Sequence, residues 1–142
     1  MLRELATCPA VTCPTTASVV EAARIMAEAD IGFLVVVDRA DVPVGVVTDR
    51  DIVVRAVAAG RHHATVADVM TRHPASVRVQ ATVTEAAQHM ANRQCRRLAL
   101  TDDAGKIIGV VSLDDLLRVA GDELAEIGRA VRGTQHSHLV LP

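Results

Sequence analysis

The chain has 142 residues, a formal charge of −2 and 50% hydrophobic residues, yet it holds no Trp, no Tyr and a single Phe, Phe33. That length suits one ordinary domain, or two very small units that share a core. The charge lacks the basic excess of a duplex-binding protein, and the missing aromatics remove the stacking platforms that hold single strands. No apolar run approaches the ~20 residues that span a bilayer. The opening Met1-Leu2-Arg3-Glu4-Leu5 does not read as a basic segment leading into an apolar one. The expectation is a soluble cytoplasmic protein with neither nucleic acid nor membrane as partner.

In chain order, the first expected element is an extended piece near Val11 to Cys13. Ser18-Val19-Val20-Glu21 is a capping-box pattern, a hydroxyl followed three residues later by a carboxylate, and predicts a helix to about Ala29. Two short apolar strands follow, Phe33 to Val37 and Val44 to Val47, separated by the turn-forming run Asp38-Arg39-Ala40-Asp41. A second helix opens near Thr48 and ends at Gly60, a residue suited to the left-handed conformation after a helix end. Residues 61–74 form a linker with a helical turn opened by Thr65-Val66-Ala67-Asp68. The same order then returns: an extended Ser76 to Val79, a helix from Thr82 to about Arg93, strands Leu98 to Leu100 and Ile107 to Val111, and a helix from Ser112. A last amphipathic helix over Ala125 to Val131 leads into a polar tail expected to be loose.

The chain is a repeat. Shifted by 64 residues, the first half falls on the second without a gap, matching Glu21 with Glu85, Met26 with Met90, Asp38 with Asp102, Gly45 with Gly109 and Asp51 with Asp115. The register extends upstream and sets Thr7 on Thr71. A unit of roughly 60 residues buries too little surface to be comfortable alone, so two should pack into one pseudo-twofold module. The expected fold is α+β (α/β), each unit a small sheet packed against two helices. The expected division is residues 1–60, the linker 61–74, residues 75–124 (with 65–74 as its leading segment), and a helix and tail over 125–142.

The chemistry-bearing pieces are Gly45-Val46-Val47-Thr48-Asp49-Arg50-Asp51 and Gly109-Val110-Val111-Ser112-Leu113-Asp114-Asp115. Each sets a hydroxyl at a strand end and a carboxylate three residues on, at a helix N-terminus. One reading is helix capping, with Thr48/Asp51 and Ser112/Asp115 satisfying orphan N–H groups. The other is that the same groups face a cleft, where a carboxylate accepts hydrogen bonds from a sugar cis-diol. No nucleophile elbow, zincin, Walker or Rossmann pattern is present, so no catalytic residue is expected. Cys8, Cys13 and Cys95 form no CxxC pair and read as thiols of a reducing compartment. Neither His62-His63 nor His136-Ser137-His138 has zinc-site spacing, and no metal site is expected.

A twofold repeat of about 60 residues, each unit closing on Gly-apolar-apolar-(Thr/Ser)-x-x-Asp before a helix, resembles a tandem pair of CBS domains, a Bateman module. The resemblance covers essentially residues 1–124, and Thr48-Asp49-Arg50-Asp51-Ile52-Val53 is similar to the small stand-alone CBS pairs of bacteria. It implies an adenosyl ligand (AMP, ADP, ATP or S-adenosylmethionine), with Thr48 and Asp51 on the ribose in one cleft and Ser112 and Asp115 in the other. It also implies an adenine region on Thr12-Cys13-Pro14 and Ser76-Val77-Arg78, between aliphatic walls. Phosphates need cationic partners, and Arg96 and Arg97, just before a strand, are the candidates, against a reading as solvated or salt-bridged arginines. Their register mates are Gly32 and Phe33, so the clefts are not equivalent and one should suit a phosphorylated ligand better. Arg50 and Arg61-His62-His63 read as solvated.

Two helices are apolar on more than one side: Val19, Val20, Ala22, Ala23, Ile25 and Met26 in one, and Ile52, Val53, Val54, Ala56 and Val57 in the other. Such helices are buried on more than one face. The second face is covered either by a second subunit, giving a homodimer as CBS pairs often form, or within the monomer. Two functions follow: a regulatory sensor that signals through a separate effector protein, or a structural and interaction dimer that binds no nucleotide.

Overall fold

The fold is described for residues 1–134 from a computed structural model. The helix α1 (Leu2–Leu5) precedes β1 (Thr12–Pro14), α2 (Val19–Ala29), β2 (Phe33–Val37) and β3 (Pro43–Thr48). The short α3 (Asp49–Asp51) continues as a π-helical turn over Ile52–Val57 and is followed by α4 (Val66–Val69) and β4 (Thr71–Arg72). The second half runs β5 (Ser76–Arg78), α5 (Val83–Arg93), β6 (Arg97–Thr101), β7 (Ile107–Ser112) and α6 (Leu113–Thr134). The expected two-unit α+β architecture is present. The tail with His136 and His138 lies outside the described residues. Among those described, no helix is long and apolar enough to cross a membrane.

Local chemistry explains the boundaries. At α2 the Ser18 hydroxyl accepts from the Glu21 N–H at 3.0 Å while the Glu21 carboxylate accepts from the Ser18 N–H at 2.8 Å. Val19, Ala22 and Met26, spaced to share one face, are buried. At α5, Thr82 and Glu85 exchange the same bonds at 3.1 and 2.7 Å. Each turn between antiparallel strands is held by one aspartate. Asp38 Oδ1 accepts from the Ala40 and Val42 N–H groups at 2.8 and 3.0 Å, and Asp102 Oδ1 accepts from Ala104 and Lys106 at 2.9 Å each. The left-handed position in these turns is Asp41 (φ 61°) in one and Gly105 (φ 79°) in the other.

In each half the first strand pairs parallel to the second, which pairs antiparallel to the third. A parallel pair needs a crossover, and α2 and α5 supply it. The register sets Thr12 opposite Val35 and Ser76 opposite Ala99.

The two cores are not contiguous in sequence. The first holds Val19, Met26, Leu34, Val36, Val47 and Ile52 together with Ala64, Val66, Val69 and Met70 from the linker. The second holds Ala86, Met90, Leu98, Leu100, Val111 and Leu116 together with Leu2, against which Leu5 and Ala6 pack. Each leading segment also extends a sheet. β4 pairs with β3, setting Thr71 opposite Val46, and Thr7 takes the matching place on β7, donating to the Val110 carbonyl at 2.9 Å and accepting from its N–H at 3.1 Å. The motif glycines permit this approach. A Cβ on Gly109 would collide with Cys8 Sγ and stand 2.7 Å from the Thr7 carbonyl oxygen; one on Gly45 would stand 3.0 Å from that of Thr71.

Two elements differ from expectation. The helix from Ser112 and the helix over Ala125 to Val131 are one continuous α6. A helical glycine costs only ~1 kcal/mol, and Gly121 is followed by good helix formers, so the helix runs through it. In the first half the helical segment ends at Val57, and Gly60 just beyond takes the expected left-handed conformation, with φ 69°. The Ile52–Val57 segment is π-helical, visible in the Ala58 N–H donating to the Val53 carbonyl at 2.8 Å.

The Thr82 amide and hydroxyl hold the Glu85 carboxyl below the usual glutamate range. A carboxyl lowered in the folded state stabilises the fold above its unfolded pKa, and that contribution is lost as pH falls through the folded value. Urea midpoints at neutral pH and below the ordinary glutamate pKa should therefore show wild type losing stability. Glu85→Gln, less stable at neutral pH, should lose less of what remains over the same interval. Equal slopes for the two proteins would refute this assignment.

Candidate functional site

Thr48 and Ser112 end β3 and β7 and cap the helices that follow. The Thr48 N–H donates to Asp51 Oδ2 at 3.0 Å, and the Asp51 N–H donates to Thr48 Oγ1 at 3.1 Å. In the second unit the Ser112 N–H and hydroxyl both donate to Asp115 Oδ2, at 2.8 and 2.6 Å, and the Asp115 N–H donates to Ser112 Oγ at 3.2 Å. The capping reading of these four residues is therefore realised. Each carboxylate keeps a second oxygen, with Asp51 Oδ1 3.8 Å from Arg55 and Asp115 Oδ1 3.8 Å from Arg118.

Both hydroxyls also line clefts. The Ser112 cleft, about 380 Å³, is walled by Thr7, Ala10, Val11, Ile31, Gly32, Phe33 and Val110, with Asp30, Asp114, Asp115 and Arg97 as its charged groups. The Thr48 cleft, about 260 Å³, is walled by Val46, Thr71, Pro74, Ala75, Phe33 and Cys95, with Arg72, His73, Arg93, Arg96 and Arg97 around the opening. The 64-residue register relates them, setting Val46 on Val110, Pro74 on Ala10 and Ala75 on Val11. Volumes of ~300–1,000 Å³ with mostly apolar walls are usual for small-molecule sites, and the larger cleft falls within that range. Asp115 lines its cleft, whereas Asp51 is not part of the Thr48 cleft wall.

The charges separate the clefts. Among the described residues, three carboxylates and one arginine border the first, whereas four arginines, a histidine and no carboxylate border the second. Arg96 and Arg97 both reach the Thr48 cleft, and Arg97 also borders the Ser112 cleft. The Arg97 guanidinium sits 5.4 Å from the centre of the Phe33 ring, its own register mate, and Arg96 pairs with Asp114 at 3.5 Å. The Arg93 guanidinium donates to the His73 carbonyl at 2.7 Å. The expectation overlooked Arg72, His73 and Arg93. The signal for the first two was the upstream extension of the repeat, which already placed Thr71 on Thr7. Arg50 and Arg61 line neither cleft, and Arg61 lies 3.9 Å from Asp68.

The expected adenine segments lie elsewhere. Cys13 is 2% exposed in the first core, and burial pushes its thiol up to about 11. Thr12 borders neither cleft, and Pro14 faces a separate groove with Glu21, Arg24 and Glu28. Ser76, Val77 and Arg78 face another groove, with Gln80 and Glu85, and Arg78 is held by Asp103 at 3.1 Å. Strand register is the reason. With Thr12 opposite Val35 in a parallel pair, it is the preceding Ala10 and Val11 that reach Phe33 at the cleft, and likewise Pro74 and Ala75 reach Arg97.

The family model of the CBS domain matches twice, at residues 2–57 and 66–122. An uncharacterized protein of Methanopyrus kandleri is 36% identical over 118 residues, 82% of this chain and 60% of that relative, so the chain spans less than two-thirds of its length. Among solved structures, CBS domain protein PAE2072 from Pyrobaculum aerophilum complexed with AMP is 30% identical, with a TM-score of 0.71 over 80% of this chain and 87% of that one. The CBS domain pair of protein MJ0100 in complex with 5′-methylthioadenosine and S-adenosyl-L-methionine is 26% identical, with a TM-score of 0.76 over 87% and 97%. The doubled unit, the glycine that lets each leading segment cross to the other sheet, and the two matched motifs give one conclusion: the chain belongs to the CBS-domain family, as a tandem pair.

Proposed function

We propose that this CBS pair is a non-catalytic regulatory module that binds adenosyl nucleotides in its clefts and signals, as a homodimer, to a separate effector protein. The observation that carries the reading is the Thr48 cleft, where, among the described residues, four arginines and no carboxylate accompany Thr48. Arginine forks bind phosphate by short charge-assisted bonds, which favours AMP, ADP or ATP there. The acidic border of the Ser112 cleft repels phosphate and favours an uncharged or cationic adenosyl ligand such as S-adenosylmethionine. The AMP of PAE2072 and the S-adenosylmethionine of MJ0100 support this class of ligand. The purine would lie mainly against aliphatic side chains and backbone, since the chain has no Trp or Tyr and Phe33, which borders both clefts, is its one Phe. Signalling follows only if ligand binds one arrangement of the two units better than another.

A second reading, a structural dimer without ligand, draws on the capping bonds, through which each hydroxyl–carboxylate pair engages its own helix start. Titration calorimetry of AMP, ATP and S-adenosylmethionine against wild type, Asp51→Ala and Asp115→Ala decides between them. AMP is expected to bind wild type and to lose about fivefold or more on Asp51→Ala, through loss of the cap that orients Thr48. Absence of heat with every ligand, in folded protein stripped of carried-over nucleotide, would leave the structural reading.

A further inference from the structure

We infer that Asp114 is a specificity-determining residue that links the two clefts by competing with phosphate for Arg96. The inference rests on the reading of the Thr48 cleft as the phosphate site. Arg96 borders that cleft, whereas Asp114 borders the other, and their side chains meet at 3.5 Å across the divide. The backbone keeps the pair adjacent, because the Leu113 N–H donates to the Arg96 carbonyl at 2.8 Å. The device is one-sided, since the register mates of Arg96 and Asp114 are Gly32 and Arg50 and form no such pair.

Both side chains are mostly exposed, at 72% and 79%, so the ion pair is weak and exchangeable. A phosphate dianion offers Arg96 a stronger, charge-assisted partner. Taking Arg96 releases Asp114 toward Asp30 and Asp115 and leaves the Ser112 cleft more negative. Phosphate in the Thr48 cleft thereby favours a cationic ligand in the Ser112 cleft and disfavours an anionic one. Because coupling between binding sites is reciprocal, a cation at Asp114 frees Arg96 and tightens phosphate in return. Arg97 and Phe33, which border both clefts, form the rest of the shared wall.

The test is a double-mutant cycle on the full chain with two probes, AMP and inorganic pyrophosphate, titrated at constant ionic strength into wild type, Asp114→Asn, Arg96→Gln and the double variant. Asp114→Asn is expected to tighten both probes about two- to fivefold, the size that an exposed ion pair supports. In the Arg96→Gln background, removing Asp114 should change affinity by less than half of that factor. No tightening in Asp114→Asn, or the same tightening with and without Arg96, would overturn the coupling while wild-type AMP binding upheld the nucleotide reading. If pyrophosphate follows the cycle and AMP does not bind, the coupling stands and the nucleotide reading falls. Failure of both probes to bind wild type would sink both.

Discussion

Leu2→Ala is expected to lower the stability of the protein by about 2–5 kcal/mol, the range for truncating a fully buried leucine. A residue second from the start of a chain ordinarily frays, and its loss ordinarily costs little. Here Leu2 is 0% exposed and packs with Ala86, Met90, Leu98 and Leu100, nearly a hundred residues on at the far members. Its register mate Val66, also 0% exposed, does the same for the first core, so Val66→Ala should also destabilise, by less because the side chain is smaller. Urea unfolding followed by far-ultraviolet circular dichroism measures both, since the lack of Trp and Tyr removes the fluorescence signal. A loss below about 0.5 kcal/mol for Leu2→Ala, the range of neutral surface changes, would mean that α1 is not docked on the second core.

The second large effect concerns assembly. Val53→Glu combined with Leu117→Glu is expected to convert a dimeric wild type into monomers that keep their circular dichroism. These register mates are 58% and 59% exposed, and they belong to a run of outward aliphatic side chains that includes Val54, Val57, Leu124, Ile127 and Val131. Leu117, Leu124, Ile127 and Val131 fall within about 80° of one another around α6, and Leu116, at the edge of that face, is buried. Burying such a side chain stabilises by about 1.5–3 kcal/mol, and twofold symmetry counts each substitution twice. The dissociation constant should therefore rise at least a hundredfold. Light scattering over a dilution series reads it directly; a monomeric wild type at micromolar concentration would refute the dimer.

Much of the fold was legible because its signals are local. Ser18 with Glu21, and Thr82 with Glu85, opened helices where the capping pattern set them, and Asp38 and Asp102 turned the chain between antiparallel strands through their own side chains. The 64-residue repeat supplied the architecture, because two similar small units share one way of burying their apolar faces. The hydroxyl–carboxylate pairs were visible for the same reason, being three residues apart. Even the inequivalence of the clefts could be read, from Arg96 and Arg97 standing where Gly32 and Phe33 stand in the first unit.

What the sequence could not decide is where residues with equal local fitness end up. Leu2, Leu5 and Ala6 are as apolar as either core requires, and only the pairing of Thr7 with Val110 commits them to the second. The segments expected to hold adenine fall outside the two clefts because parallel register, which is absent from any local pattern, sets Ala10 and Val11 beside Phe33 and turns Cys13 into the core. Arg72 and Arg93 are ordinary surface arginines along the chain and become partners of Arg96 and Arg97 only when β4 and the end of α5 meet at one opening. By itself the sequence determined the two units, their caps and turns, and the hydroxyl–carboxylate pairs at the helix starts, since each depends on neighbours within a few positions. The tertiary structure alone decided which cleft is basic and which is acidic, because charge in a cleft is a sum over segments that meet only after folding.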